Sequence, residues 1–169
     1  MHVLIATTGA LSPEPVAEFA ERLLGDKGTV SVITVIEVPR SFLDTIRSDQ
    51  WHPLADGKLT WPTQEDAVIA RYVEERGHKL TEPILTALRA RAVEPTVMYL
   101  EGEDPAQTII DAAERADADV VVVGATRPIF DEASWESVSV RVMRELNRPV
   151  LVVPAAARIE GEPEDDLER

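Results

Sequence analysis

The chain has 169 residues, 44% of them hydrophobic and only 5% aromatic, and its 31 acidic and 17 basic residues give a net charge of −14. One domain of this size can bury a substantial aliphatic core, whereas a field of that sign repels nucleic acids and anionic membrane surfaces, so we expect neither as a partner. The absence of cysteine excludes disulfides and thiolate chemistry, and no stretch approaches the roughly 20 apolar residues of a membrane span, so a cytoplasmic protein is expected.

The first part of the chain predicts a strand, a helix and a second strand. An apolar run at residues 3–7 ends at Thr8-Gly9, and Ser12 followed by Pro13 is typical of a helix start. Apolar residues at helical spacing continue to Gly25, where the helix is expected to end. Residues 29–36 are rich in β-branched side chains, which is typical of a strand buried on both faces.

Residues 38–62 show no regular period and are interpreted as a long connection. We expect its large aromatic residues to pack the connection onto the sheet, and a lid over a ligand crevice or part of a dimer contact are the alternatives. These aromatic residues are Phe42, Trp51 and Trp61. A helix is then predicted to begin at Thr63, and Gly77 and Pro83 are expected to bend or split it.

The second half of the chain predicts three more strands with helices between them. Strands are predicted at residues 96–100, 120–123 and 150–153, the second of them four consecutive valines that lead into Gly124. Asp104 is expected to cap the helix that begins at Pro105, with Gln107 completing a capping box. A last helix is marked by apolar residues between Val138 and Leu146.

The alternation of strands and helices predicts an α/β domain with a parallel sheet covered by helices on both faces, as in Rossmann-like folds. Residues 1–154 are assigned to this domain, and the acidic tail at 155–169 is expected to be disordered. Ligands of such sheets bind at the carboxyl ends of the strands, beside the topological switch point. If the first and fourth strands are neighbours, Thr7-Thr8-Gly9 and Gly124-Ala125-Thr126 line one crevice.

Several segments together resemble the universal stress protein family. The resemblance covers about residues 1–36 and 63–154 and rests on a glycine, an acidic-Pro-Ala helix start, a strand ending in glycine and the last helix and strand. The matching residues are Gly102-Glu103-Asp104-Pro105-Ala106, Ala118-Asp119 through Gly124, Ser137-Val138, Arg141-Val142 and Pro149 through Val153. The resemblance implies a five-stranded sheet in the order 3-2-1-4-5 and a homodimer formed through the last strand, Val150 to Val153. An apolar edge strand also needs a partner or a cover.

Nucleotide-binding members of the family carry a glycine-rich loop of the form G-x2-G-x9-G-[ST] after the fourth strand. This chain keeps Gly124, but Arg127 stands at the second glycine. Counting forward from Gly124 puts Ser137 at the third glycine. Alignment of the last helix and strand, which we prefer, puts Glu136 at the third glycine and Ser137 at the family serine, in a loop one residue shorter than the pattern. Thr8 occupies the position of the family's nucleoside-binding Asp. Val35 is at the position that packs on adenine, and a valine there is also an ordinary strand residue.

The loop is therefore expected to bind ATP weakly or not at all. Asp131, Glu132 and Glu136 would oppose a triphosphate, and like charges a few ångströms apart cost on the order of 1 kcal/mol or more each. A metal ion that bridged carboxylate and phosphate would invert this expectation. The alternative interpretation of Gly124, Ser137 and Arg127 is structural: a strand end, a helix cap and a solvated cation.

The sequence thus predicts a non-catalytic stress-response or regulatory protein that acts through binding. The candidate ligand crevice comprises Thr8, Gly9, Val35, Gly124, Arg127 and Ser137. Two alternatives stay open: an ATP-binding family member with an altered loop and slow hydrolysis, and a protein-interaction module that uses its acidic surface.

No catalytic or metal site is predicted. His2, His52 and His78 lack metal-ligand spacing and are interpreted as surface histidines. Ser134, Ser137 and Ser139 have no nucleophile-elbow setting.

Overall fold

The computed structural model describes residues 1–25, 27–39, 41, 64–125 and 137–154. Strands and helices alternate along these ranges. The strands are β1 (His2–Ala6), β2 (Thr29–Ile36), β3 (Thr96–Glu101), β4 (Val120–Ala125) and β5 (Val150–Pro154), and the helices are α1 (Pro13–Leu24), α2 (Gln64–Ala90), α3 (Pro105–Arg115) and α4 (Val138–Glu145). The predicted tail, most of the 38–62 connection and the loop after Ala125 lie outside the described residues.

The five strands form one parallel sheet in the order β3-β2-β1-β4-β5, which confirms the predicted fold. The first strand lies at the centre, with Ala6 in register with Ile33 of β2 on one side and with Val123 of β4 on the other. This arrangement makes β1 and β4 neighbours at the switch point, as the crevice prediction requires.

Two hydrophobic layers cover the sheet, one on each face. Alternate strand residues such as Val3, Ile5 and Val122 pack with α1 and α2, whereas Leu4, Ile33 and Val121 pack with α3 and α4. Because side chains on successive strand residues point to opposite faces, strands with continuous apolar runs supply both layers. This pattern explains why β2 and β4 read as uninterrupted apolar segments in the sequence.

The helix α2 is a single element from residue 64 to residue 90 and contains Pro83 in its interior. Of the expectation that Gly77 and Pro83 bend or split the helix, the split is therefore wrong. Two buried leucines, Leu85 and Leu88, follow Pro83 and anchor the C-terminal half of the helix to the sheet. Burial of a fully apolar helix face contributes enough free energy to offset the roughly 3 kcal/mol that an interior proline costs.

The N-terminus of α3 is capped, but by a different network from the predicted one. The Asp104 side chain accepts a hydrogen bond from the backbone N–H of Gln107 at 3.2 Å, as expected. The Gln107 amide instead donates to Asp111 Oδ1 at 2.7 Å, one turn further along the helix. The reciprocal half of the predicted capping box is thus replaced by a side-chain pair on the helix surface.

Candidate functional site

A cavity of about 470 Å³ opens at the carboxyl ends of β1, β2 and β4. Its floor is formed by the sheet face that carries Ala6, Ile33, Val35 and Val123. Ala6 is in register with Ile33 and Val123, so a small residue lies between two large ones at the bottom of the cavity. This volume falls in the range of small-molecule sites, about 300–1,000 Å³. We name it the central cavity.

The first turns of two helices form the opposite wall of the central cavity. Pro105 and Ile109 come from α3, and Val138 and Ser139 come from α4. Because crossover connections in a parallel sheet bring helix N-termini to the edge where the strands end, the topology delivers both helices to this place. Apolar side chains predominate in the wall, as in most ligand pockets.

Four of the six predicted site residues line this cavity: Thr8, Val35, Gly124 and Ser137. Gly9 does not line it. It adopts a positive φ of 84°, and a methyl group there would lie 3.1 Å from Leu80 Cδ2, so glycine serves the turn and its packing against α2. Arg127 lies outside the described residues, and its part in the site stays a prediction.

Gly124 is covered by a leucine on the α1 side of the sheet. A methyl group at Gly124 would lie 3.2 Å from Cδ2 and 3.5 Å from Cγ of Leu11, which is buried and also lines the central cavity. In a phosphate loop a glycine leaves space for the ligand. Here the space beside the glycine on this face holds an isobutyl group.

The two helix N-termini at the cavity are already capped by the chain's own side chains. Ser137 Oγ accepts from the Val140 N–H at 3.4 Å, and the Asp104 carboxylate caps α3. Bound anions at helix N-termini use these same free N–H groups and the positive end of the helix dipole. Part of the donor capacity that a phosphate would need is therefore occupied, and at α3 the occupant is itself an anion.

An ion pair joins the two capped helices beside the cavity. Arg141 Nη1 donates to both carboxylate oxygens of Asp104, at 2.8 and 3.0 Å. The Gln107 backbone hydrogen bond and then the Arg141 guanidinium hold the pKa of Asp104 below its ordinary value, while hydrogen bonds to Asp104 and Glu145 raise the pKa of Arg141. This guanidinium, one turn along α4 from Ser137, is thus already neutralised by the protein.

The polar groups of the cavity wall are hydroxyls. Ser139 is buried and its Oγ lies 3.4 Å from Ser137 Oγ, while Thr7 Oγ1 accepts the Gly9 N–H at 3.0 Å. None of the described residues that line the cavity carries a charge. This wall can orient a ligand through hydrogen bonds, but its described part offers neither a general base nor a counter-ion for a phosphate.

Two of the three histidines lie in the described part of the chain, and neither is in the cavity. His2 is half-buried, with Nδ1 at 2.9 Å from the Ala116 carbonyl and Nε2 at 2.8 Å from Ser31 Oγ, so its interpretation as a surface histidine is wrong. His78 is exposed and lies 3.4 Å from Glu82. Within the described ranges, no three His, Asp or Glu residues cluster in a way that could hold a metal ion.

Sequence reasoning missed several residues of the cavity wall. Ala6, Leu11, Pro105 and Ile109 carried no functional signal. Such residues form a site through their position at a strand end or helix start, which their residue types do not reveal. The available signal was topological: all of them lie at a carboxyl strand end or in the loop or helix start that follows it.

A search of the described helices finds none with the length and apolar character needed to cross a membrane.

The family model for the universal stress protein family matches residues 1–154. Among solved structures, a universal stress protein family member from Burkholderia pseudomallei is 19% identical, with a TM-score of 0.57 over 91% of this chain and 96% of that chain. A universal stress protein in complex with cAMP is 16% identical, with a TM-score of 0.56 over 92% and 98%. An AMP-bound family protein from Arabidopsis thaliana is 15% identical, with a TM-score of 0.54 over 98% and 97%. At these identities the structures show a shared fold. None of the curated proteins matches the chain.

Proposed function

Because the chain belongs to the universal stress protein family, we propose that it is a non-catalytic regulatory protein of the stress response, which binds a small ligand in the central cavity and binds ATP weakly or not at all. The observation that carries this proposal is the cavity itself. It lies at the switch point of the sheet, has a predominantly apolar wall, and has no charged group among its described lining residues.

The local electrostatics favour an uncharged group in this cavity over a polyphosphate. Asp104 and Ser137 already cap the helices that would meet the phosphates, and Arg141 is paired with Asp104. A triphosphate would add several negative charges beside a carboxylate, in a chain whose net charge is −14. The described residues that line the central cavity supply no cation, and the two helix N-termini are partly capped, so desolvation of those charges is poorly compensated.

A second candidate, an ATP-binding protein with an altered phosphate loop and slow hydrolysis, is supported by two relatives. One of these proteins is in complex with cAMP and the other has AMP bound. Both ligands combine a nucleoside with one phosphate, and the central cavity has the volume for a nucleoside-sized group. The two candidates differ in whether the β- and γ-phosphates of ATP add to the affinity or reduce it.

Calorimetric titration with adenosine, AMP, cAMP and Mg-ATP distinguishes the two candidates. We expect Mg-ATP to bind no more tightly than adenosine. The variant Thr8→Asp/Arg127→Gly/Glu136→Gly places the family's residue types at these three positions, in a loop one residue shorter than the family pattern, and removes two charges of opposite sign while adding one carboxylate. We expect it to bind Mg-ATP at least about tenfold more tightly than the parent chain.

Micromolar Mg-ATP affinity of the unaltered protein, or ATP turnover that is lost in Gly124→Val, would instead establish the second candidate. Native mass spectrometry of freshly purified protein gives an independent reading, since it reports any co-purified nucleotide and the mass of the assembly together.

The proposed function includes a homodimer through β5. This strand is at one edge of the sheet and its residues Val150 to Val153 are only half-buried within the chain. A partly exposed apolar edge presents unpaired backbone groups to another strand. The opposite edge strand, β3, is half-buried to a similar degree and provides an internal comparison.

The cysteine-free sequence allows a direct test of this dimer. In an antiparallel pair across a two-fold axis, the residue on the axis faces its own copy at about 4.5–5.5 Å between Cα atoms, within disulfide range. Val152, in the middle of β5, is taken as that residue. We expect Val152→Cys to form a covalent dimer on mild oxidation, and the control Met98→Cys on β3 to remain monomeric on a non-reducing gel. Equal cross-linking of the two variants, or a monomer mass for the native protein, would contradict the β5 dimer.

A further inference from the structure

A second cavity lies next to the central cavity, at the carboxyl end of β2 and against α2. Its volume is about 500 Å³, and its wall includes Glu37, Tyr72, Arg76 and Leu80. We name it the Arg76 groove. It lies outside the loop after β4, where the family resemblance would put a phosphate.

The Arg76 groove and the central cavity are contiguous. Thr8 and Val35 line both of them, so the two cavities meet at the ends of β1 and β2. Thr8 is exposed and Val35 is half-buried. A ligand whose apolar part lies on Val35 in the central cavity can therefore extend past Thr8, over the carboxyl edge of the sheet, into the groove.

The helix α2 presents its groove residues as one stripe. Tyr72, Arg76 and Leu80 are spaced at intervals of four residues, which places them on the same helix face. Leu80 packs this face of α2 against the turn that follows β1, because its Cδ2 lies 3.1 Å from where a methyl group at Gly9 would be. The guanidinium of Arg76 is thus carried by an element that is packed against the site.

Charge distinguishes the groove from the rest of the site. Arg76 is the one cation among the described residues around the central cavity, the Arg76 groove and a third cavity that contains Asp66, Glu74 and Glu101. Other described arginines, such as Arg141 and Arg91, are held in ion pairs with the protein's own carboxylates. Arg76 has no hydrogen bond or ion pair with any described carboxylate, and its fork of donors is available to an anion.

We propose that the ligand of this protein is an amphipathic molecule with a single anionic group, whose apolar body occupies the central cavity and whose carboxylate, sulfonate or monophosphate binds Arg76. This inference rests on the proposed function, since it assumes that the central cavity binds a ligand. Glu37 in the same groove limits the anion to low charge, because a polyanion would also meet this carboxylate. The anion is thus bound by α2 instead of by the loop after β4.

Two fluorescent dyes of matched shape test the inference. 8-Anilino-1-naphthalenesulfonate carries an aromatic body and one sulfonate, and N-phenyl-1-naphthylamine has the same aromatic body without the sulfonate. We expect the sulfonated dye to bind the wild-type protein more tightly than the neutral dye. Arg76→Gln is expected to lower the affinity for the sulfonated dye about three- to tenfold and to leave the affinity for the neutral dye unchanged.

Lys79→Gln is the matched control, because it removes the same charge from an exposed position on the same helix and is not part of the groove wall. We expect its effect on the sulfonated dye to be less than about twofold at 0.15 M salt, where distant charges are screened. Thermal unfolding of both variants, followed by near-ultraviolet circular dichroism, verifies that the dyes report on native protein.

Each outcome has a distinct meaning. The inference is overturned if the neutral dye binds but the affinity of the sulfonated dye does not depend on Arg76. It is also overturned if Arg76→Gln and Lys79→Gln change that affinity equally. Either result leaves the central cavity as a binding site. Failure of both dyes to bind native wild-type protein contradicts the proposed function, and the inference that rests on it fails as well.

Discussion

Replacement of Ala6 by phenylalanine is expected to abolish binding in the central cavity while the protein stays folded. Ala6 is 6% exposed and lies on the cavity floor between Ile33 and Val123. A phenyl ring at this position would extend into the open volume where we place the apolar body of the ligand. Aromatic residues are also well accommodated in strands. We expect the affinity for N-phenyl-1-naphthylamine to fall by at least about tenfold, with a change in stability below about 1 kcal/mol.

The same substitution at Ala17 is the matched control. Ala17 is fully buried in the packed layer between α1 and the sheet and does not line the central cavity. Because Ala17 is enclosed by other buried side chains, Ala17→Phe is expected to destabilise the fold by about 1–3 kcal/mol or more in urea denaturation. An affinity of Ala6→Phe for the dye equal to that of the wild-type protein would show that the dye binds elsewhere. Unfolding of Ala6→Phe comparable to that of Ala17→Phe would show that the cavity is closed in solution.

Gly77→Ala is expected to destabilise the protein even though alanine is the better helix former. Gly77 is buried in α2, and a methyl group there would lie 2.5 Å from Cγ and Cδ1 of Tyr99 and 3.0 Å from its Cβ. These Tyr99 atoms are close to the β3 backbone, so a rotamer change alone cannot relieve the contact. Overpacking of about 1–3 kcal/mol or more should exceed the roughly 1 kcal/mol gained in helix propensity, which gives a lower midpoint of thermal unfolding.

A double-mutant cycle with Tyr99→Ala isolates the steric cause. If the clash with the tyrosine ring is responsible, Gly77→Ala should cost less free energy of unfolding in the Tyr99→Ala background, with a coupling above about 1 kcal/mol. Thr86→Ala, at an exposed position of the same helix, measures the propensity gain without a clash and should stabilise by a few tenths of a kcal/mol. A stabilising Gly77→Ala would show that α2 and β3 are less closely packed than described.

The sheet could be predicted largely from local sequence patterns. Thr29–Ile36 has the predicted bounds, and the apolar runs at residues 120–123 and 150–153 became the cores of β4 and β5. A strand buried on both faces must be apolar at every position, and this requirement is visible within a few residues of sequence. The strand order itself came from the family resemblance, and the pairing of β1 with β2 and β4 confirms it.

Two of the interpretations that the structure corrects, those of Gly77 and His2, involve a contact between residues distant in sequence. Gly77 reads as a helix breaker in isolation, but its place in α2 is explained by Tyr99 of β3. His2 reads as a surface residue near the start of the chain, yet its ring joins Ser31 of β2 to Ala116 beyond α3. The local propensity of a segment does not indicate such partners, because they become neighbours only when the sheet forms.

The candidate site, too, has features that the local sequence predicts and features that depend on contacts between distant segments. The sequence alone determined the alternation of strands and helices, the acidic character of the chain and the loss of two glycines after Gly124, because periodicity, charge and residue type are properties of short segments. Only the tertiary structure decided that Thr8 and Val35 are shared by two cavities, that Leu11 covers Gly124, and that Arg76 on α2 is the one cation among the described residues of these cavity walls. The physical reason is that parallel strands bring their carboxyl ends together from segments tens of residues apart, and side chains acquire a common ligand surface only at that edge.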